Sequence, residues 1–237
     1  MIDKSLLENG IAELGLAISG AQIDAFDKFA ELLVETSKVI NLTSILEPER
    51  IVTEHFLDSI SCLSALTPPD NGMILDVGTG AGFPGLPIAI MCPDLECVLM
   101  DSTKKKLGFI DNICEELEIS NVVTVYSRAE DAGNNKKYRE AFDVVYGRAV
   151  SEMKVLSELC IPFVNINGFF IAQKSIDYED ELDKGRAIIG QLGGKISKID
   201  IKDIPFTSIE RALIVIEKIK KTPADFPRPY SKIKNKK

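Results

Sequence analysis

At 237 residues, 45% of them hydrophobic and 27% charged, the chain is long enough to bury a core as one domain with a helical extension. No apolar run approaches the roughly 18 residues that span a bilayer, and the Met-Ile-Asp-Lys-Ser start lacks the plan of a secretory signal; five scattered cysteines (Cys62, Cys92, Cys97, Cys114, Cys160) and a single histidine argue against structural zinc or a disulfide framework, so the expectation is a cytoplasmic protein without membrane or metal, its oligomeric state open with a monomer preferred. The net charge of −8 weighs against a nucleic-acid partner, but residues 211–237 hold nine basic residues against two acids, a net +7 that leaves −15 on the rest.

Residues 3–66 carry helical periodicity. Leu6, Leu7, Ile11 and Leu14 form one stripe, and Ile23, Phe26, Phe29, Ala30, Leu33 and Val34 another, parted at Ser19-Gly20. A further helix over His55–Leu66 stops at Pro68-Pro69-Asp70-Asn71-Gly72. This predicts an N-terminal helical extension over 1–70, packed on a core domain over 71–222, with a basic flexible tail over 223–237.

After Gly72 the pattern becomes strand, helix, strand. Strands are predicted at Met73–Val77, Glu96–Met100, Val122–Tyr126, Phe142–Tyr146 and Gly168–Lys174, and helices at 84–92, 103–117 and 152–161. That alternation implies βαβ units and a doubly wound α/β, Rossmann-like sheet. Lys195–Ile204 and Arg211–Ile219 are joined too tightly for a helical crossover, so they should form a C-terminal antiparallel hairpin.

The loop Asp76-Val-Gly-Thr-Gly-Ala-Gly-Phe-Pro-Gly85 follows the first strand and opens a helix, where the backbone turns sharply and approaches a cofactor. The GxGxxG spelling alone also suits a dinucleotide. S-adenosylmethionine is favoured because Asp76 would repel a pyrophosphate but can face a cationic methionine end, because Asp101 suits ribose hydroxyls and Glu130 can meet adenine, and because methyltransferase sheets add an antiparallel strand. A nicotinamide-dependent oxidoreductase is the alternative from another class, and a non-catalytic RNA-binding module a third.

Tyr146-Gly-Arg-Ala-Val150 lacks the Asn/Asp-Pro-Pro-aromatic motif of exocyclic-amine methylation. Cytosine C5 chemistry needs a cysteine nucleophile, whereas Cys160 lies in an apolar helix and reads as a buried structural thiol. An acceptor needing no covalent help remains, and guanine N7 fits because its lone pair attacks without loss of a proton. Arg148 is a candidate guanine reader or phosphate holder; its alternative role is an ion pair with Asp76 or Asp101.

Asn41-Leu-Thr-Ser44, His55-Phe-Leu-Asp-Ser59, DVGTGAGFPG, Asp101-Ser102 followed by lysines, Ser127-Arg-Ala-Glu130, Gly147-Arg-Ala149 and Glu210-Arg211 occur in an order that resembles the 16S ribosomal RNA guanine-N7 methyltransferases, also known as glucose-inhibited division protein B. The resemblance runs from about residue 20 to 219. It implies transfer of a methyl group from S-adenosylmethionine to a guanosine N7 in the 530 loop, with 16S RNA or the small ribosomal subunit as partner; another RNA or a small molecule is the alternative acceptor. It further implies cofactor contacts from Gly78, Phe83, Ala129, Glu130 and Arg148, with Asp101 on the ribose, and Gly80 joins this set from the reading of the glycine loop itself. Lys105, Lys174 and Arg211 match basic positions near the RNA or the transferred methyl, and Arg148, Lys105 and Arg211 are the candidate catalytic residues. The chain departs from many relatives in having Ser175 after Lys174, and from some in having Ala81. His55 matches a motif position and also suits a structural hydrogen bond at a helix start.

Overall fold

Caps fix the first two helices. The Asp3 carboxylate accepts from the Ser5 and Leu6 amides ahead of α1 (Lys4–Glu13), and Ser19 forms a reciprocal capping box with Gln22 ahead of α2 (Gly20–Ser37). The computed structural model describes residues 1–148 and 151–234. Ala149 and Val150 of the segment after the fourth strand, and Lys236 and Lys237 of the basic end, lie outside the described residues. A third helical run begins as α3 (Pro48–Arg50), widens to a π-helix over Ile51–Leu57 and returns to α-geometry as α4 (Asp58–Ala65).

The remaining elements are β1 (Met73–Val77), α5 (Gly85–Met91), β2 (Glu96–Asp101), α6 (Lys104–Glu116), β3 (Val122–Tyr126), α7 (Ala129–Ala132), β4 (Phe142–Arg148), α8 (Met153–Cys160), β5 (Val164–Ser175), α9 (Glu179–Gln191), β6 (Gly194–Asp203), β7 (Glu210–Lys218) and α10 (Tyr230–Lys234), with a 3₁₀ turn at Ile161–Phe163. The strands order as β3-β2-β1-β4-β5-β7-β6. The first five are mutually parallel, and β7 is antiparallel to both β5 and β6. This is a doubly wound, Rossmann-like sheet ending in an antiparallel hairpin, as the strand spacing predicts.

Alternation along each strand divides the core. Ile74, Val144, Tyr146 and Ile171 join the N-terminal helices, α5 and α6 on one face. Leu75, Val77, Val145 and Phe170 join α8, α9 and α10 on the other.

Two expectations need correction, and one helix has no counterpart in the sequence reading. β5 starts at Val164, four residues before the predicted Gly168, because Val164 pairs with Phe142 ahead of a register shift. A helix, α9, occupies Glu179–Gln191; its three leading acids suit a helix N-terminus and Leu182, Gly185, Ile188 and Ile189 its buried face. The segment after residue 222 is not a flexible tail as far as Lys234. Ile233 is 2% exposed within the second core, and Arg228 forks onto the buried Glu158.

Candidate active site

The ends of β1 and β2 are locked together at the glycine loop. The amides of Gly78 and Thr79 both donate to the Met100 carbonyl, and Gly80 N donates to Asp101 Oδ2 at 3.0 Å. This tight return requires positive φ at Gly78 (74°) and Gly80 (61°). Gly85 serves a different need: it donates its N–H to Asp76 Oδ2 at 2.8 Å, and a Cβ there would lie 2.9 Å from the Asp76 side chain. Burial pushes Asp76 up to about 6, against the Thr79 hydroxyl and the Gly85 amide, which favour its charged form. Thr79 Oγ1 and Asp76 Oδ1 nonetheless have no well-aligned hydrogen-bond partner among the described residues.

Beside this loop opens a cavity of about 230 Å³ bounded by Gly78, Asp101, Ser127, Ala129, Glu130, Leu159 and Tyr230 among others. Two nearly buried acids, Asp101 and Glu130, face it. Asp101 uses one lone pair of each oxygen on the amides of Gly80 and Thr103, which leaves acceptor capacity for a ligand hydroxyl. Such an acceptor set suits the hydroxyls of a diol and the amino edge of a flat ring.

A second cavity, about 320 Å³, is cationic and is bounded by Glu54, Asp58, Arg148, Gln173, Lys174 and Arg211 among others. Its organiser is Asp58, 2% exposed at the junction of the π-turn with α4. Arg148 Nη1 lies 3.2 Å from Asp58 Oδ2, Arg211 Nε donates to Oδ1 at 2.8 Å, and Gln173 Nε2 donates to Oδ1 at 2.7 Å. Two guanidiniums on one carboxylate leave the group with net positive charge. Arg148 also donates to Ser59 Oγ at 3.0 Å and lies 3.3 Å from His55 Nδ1, with its guanidinium 5.4 Å from the Phe83 ring centroid. Arg148 therefore pairs with Asp58, not with Asp76 or Asp101.

His55 stacks on Phe83 at 4.4 Å between centroids, and its Nε2 is 2.9 Å from Thr43 Oγ1. Burial first, then the Arg148 charge, holds its pKa down at about 3. An arginine can only donate, so Nδ1 accepts and Nε2–H donates to Thr43. His55 is thus a neutral spacer that aims Arg148.

Of the predicted residues, Gly78, Asp101, Ala129 and Glu130 come together at the first cavity, with Gly80 clamped to Asp101. Arg148, Lys174 and Arg211 come together at the second. Lys174 is drawn off by Glu181 and donates to Ser151 O at 2.9 Å. Phe83 lines neither cavity and supports His55 and Arg148 from below. Lys105 is exposed on α6 and lines neither; its neighbour Lys106 reaches the loop, with Nζ 4.0 Å from the position of a Cβ on Gly80. Burial raises the Cys160 thiol well above its ordinary pKa, so it is no nucleophile. Sequence reasoning misses Asp58 and Gln173. Asp58 is visible in the His55–Ser59 motif, three residues after His55, but nothing in sequence ties it to Arg211, 153 positions away.

Residues 22–206 match the family described as GidB, rRNA small subunit methyltransferase G. The chain is 41% identical to the ribosomal RNA small subunit methyltransferase G of Desulforamulus reducens, covering 94% of this chain and 92% of that one. It is 40% identical to the protein of the same description from Bacillus subtilis, covering 93% and 92%. Among solved structures it resembles a methyltransferase-like protein from Bacillus halodurans with a TM-score of 0.54 at 12% identity, covering 69% of this chain and 99% of the other.

Proposed function

The chain belongs to the GidB family, rRNA small subunit methyltransferase G, and from that premise we propose that it methylates N7 of a guanosine in the 530 loop of 16S ribosomal RNA. S-adenosylmethionine is the cofactor, and it supplies an electrophilic methyl group on a sulfonium. The acid-lined first cavity fits it: Asp101 and Glu130 suit the ribose hydroxyls and purine, and Gly78, Gly80 and Ala129 let the backbone come close.

The cationic second cavity is the acceptor site in this reading, and the Asp58-bound pair Arg148 and Arg211 is the single observation that carries it. A ribonucleotide is an anion bearing planar acceptor edges, and guanidinium forks match both. Guanine N7 needs no deprotonation. Consistently, His55 is neutral and committed to Arg148, and the Cys160 thiol is buried. The work of the site is then alignment, a contribution of about 7–11 kcal/mol in well-oriented systems. Residues 71–222 form the methyl-transfer unit in this proposal. The 1–70 segment is more than a cap, because it delivers His55, Asp58 and Ser59 to the arginines.

Small ribosomal subunits from cells lacking the gene, incubated with the protein and S-adenosylmethionine, should gain 7-methylguanosine in a 530-loop digest fragment by mass spectrometry. A methyl group at another base or atom would overturn the N7 assignment. Arg148→Lys keeps charge but loses the fork that spans Asp58, Ser59 and His55. It should bind S-adenosylhomocysteine normally while methylating about a hundredfold more slowly; wild-type turnover would make Arg148 structural only.

A further inference from the structure

The chain from Thr222 to Lys234 returns across the sheet as a strap, fastened mainly through its own carbonyls. The Arg139 guanidinium donates to four main-chain oxygens, those of Gly133 (3.1 Å), Phe226 (2.6 Å), Thr222 (2.8 Å) and Pro223 (2.9 Å). Asn134 Nδ2 bridges Glu130 O at 2.9 Å and Pro227 O at 3.0 Å, so a strap carbonyl is tied to a residue that lines the first cavity. Gly133 has no side chain where one would meet Pro227 Cγ at 2.8 Å. Arg228 donates through both its amide (2.9 Å) and Nε (2.8 Å) to Glu158 Oε1, and Glu158 is fully buried on α8. Beyond it Ile233 enters the core.

These fastenings deliver Tyr230 to the wall of the first cavity, beside Leu159 and across from the glycine loop. We propose that Tyr230 is a cofactor-binding residue, its ring walling the purine end of the S-adenosylmethionine site; this rests on the cofactor reading above. The cavity's lining divides by chemistry. Asp101 and Glu130 offer acceptors for hydroxyl and amino groups, whereas Ala129, Leu159 and Tyr230 offer a drier face on which a flat heterocycle can stack. Tyr230 lies beyond residues 22–206, the span over which the family match runs, so the strap adds a wall that the matched portion does not itself contain.

The chain has no tryptophan, so Tyr230→Trp places a single indole at this wall. Calorimetry on the full-length wild type comes first: no binding of S-adenosylhomocysteine would sink the cofactor reading itself. With binding established, S-adenosylhomocysteine and 5′-methylthioadenosine should each change the Tyr230→Trp emission saturably, while homocysteine should not. Tyr230→Ala should weaken both nucleosides about tenfold, the scale of a single base–aromatic stack, and Tyr230→Phe should bind like wild type. A silent indole on a protein that calorimetry shows to be saturated, or wild-type affinity in Tyr230→Ala, would overturn the assignment. The indole arm stands even where the alanine variant folds poorly.

Discussion

At the residue scale, two buried groups at the site titrate in opposite senses. His55 holds a pKa of about 3 against an ordinary 6.5. Between those values the unfolded chain takes up a proton that the folded chain refuses, so acidification costs about 1.4 kcal/mol of stability per pH unit. Asp76 is raised from 3.8 to about 6. Its folded carboxyl takes a proton that the unfolded one still lacks, so its contribution is fully present below pH 3.8 and is lost as pH rises through 6. From pH 6 down to 4 the two oppose each other and the stability curve is flattened. Asp76→Asn removes one side of the balance. Urea denaturation at pH 7, 6, 5 and 4 should show the variant losing about 1.4 kcal/mol per unit more than wild type below pH 6, and parallel curves would mean that Asp76 stays ionised.

At the element scale, β1 and α5 approach at Gly85 with no room for a methyl group, since a Cβ would lie 2.9 Å from Asp76 and 3.0 Å from Leu99. Gly85→Ala should cost about 1–3 kcal/mol in urea denaturation and weaken S-adenosylhomocysteine in calorimetry, because the strand end that carries the loop must shift. An alanine variant of unchanged stability would show that the layers separate easily. The parallel strands and the hairpin are legible in sequence because each is set by local alternation and turn residues. α9 escapes such a reading because Glu179–Gln191 shows only four buried positions among many charges. The glycine loop and its acids announce the first cavity. The second has no shared local signature, being assembled from α4, β4, β5 and β7 around Asp58; Arg148 stands out by its place at the end of the fourth strand, but only a resemblance to relatives draws attention to Arg211. The strap is hidden because a run of lysines reads as solvated, although Arg228 and Ile233 within it are held by Glu158 and the core.

At the scale of the whole molecule, charge sorting is less simple than a basic end on an acidic body. Three of the nine basic residues after position 210 are committed internally, Arg211 to Asp58, Lys218 to Glu140 and Arg228 to Glu158. Of the others, Lys220, Lys221, Lys232 and Lys234 are exposed. Deleting the end would strip Ile233 from the core, so charge removal is the cleaner experiment. Replacing Lys232, Lys234, Lys236 and Lys237 with Gln should leave S-adenosylhomocysteine affinity alone and flatten the salt dependence of RNA binding by about 0.7 in log–log slope for each phosphate no longer neutralised. An unchanged slope across a salt series would move phosphate binding to Lys104, Lys105 and Lys106 beside the glycine loop.

The position of β7 also dictates when in the life of the chain the site comes into being. The last strand in sequence is not an edge; it is inserted between β5 and β6, and it carries Arg211. During synthesis, β1 to β5 and the helices around them can leave the ribosome and pair while Asp58 still awaits its second arginine. Only when Glu210–Lys218 emerges does the sheet acquire its final order, and only after the strap follows does Tyr230 reach the cavity wall. A chain halted before Glu210 would therefore carry the glycine loop without the finished cationic cavity, so the site proposed for the acceptor is assembled later in synthesis than the glycine loop of the cofactor site.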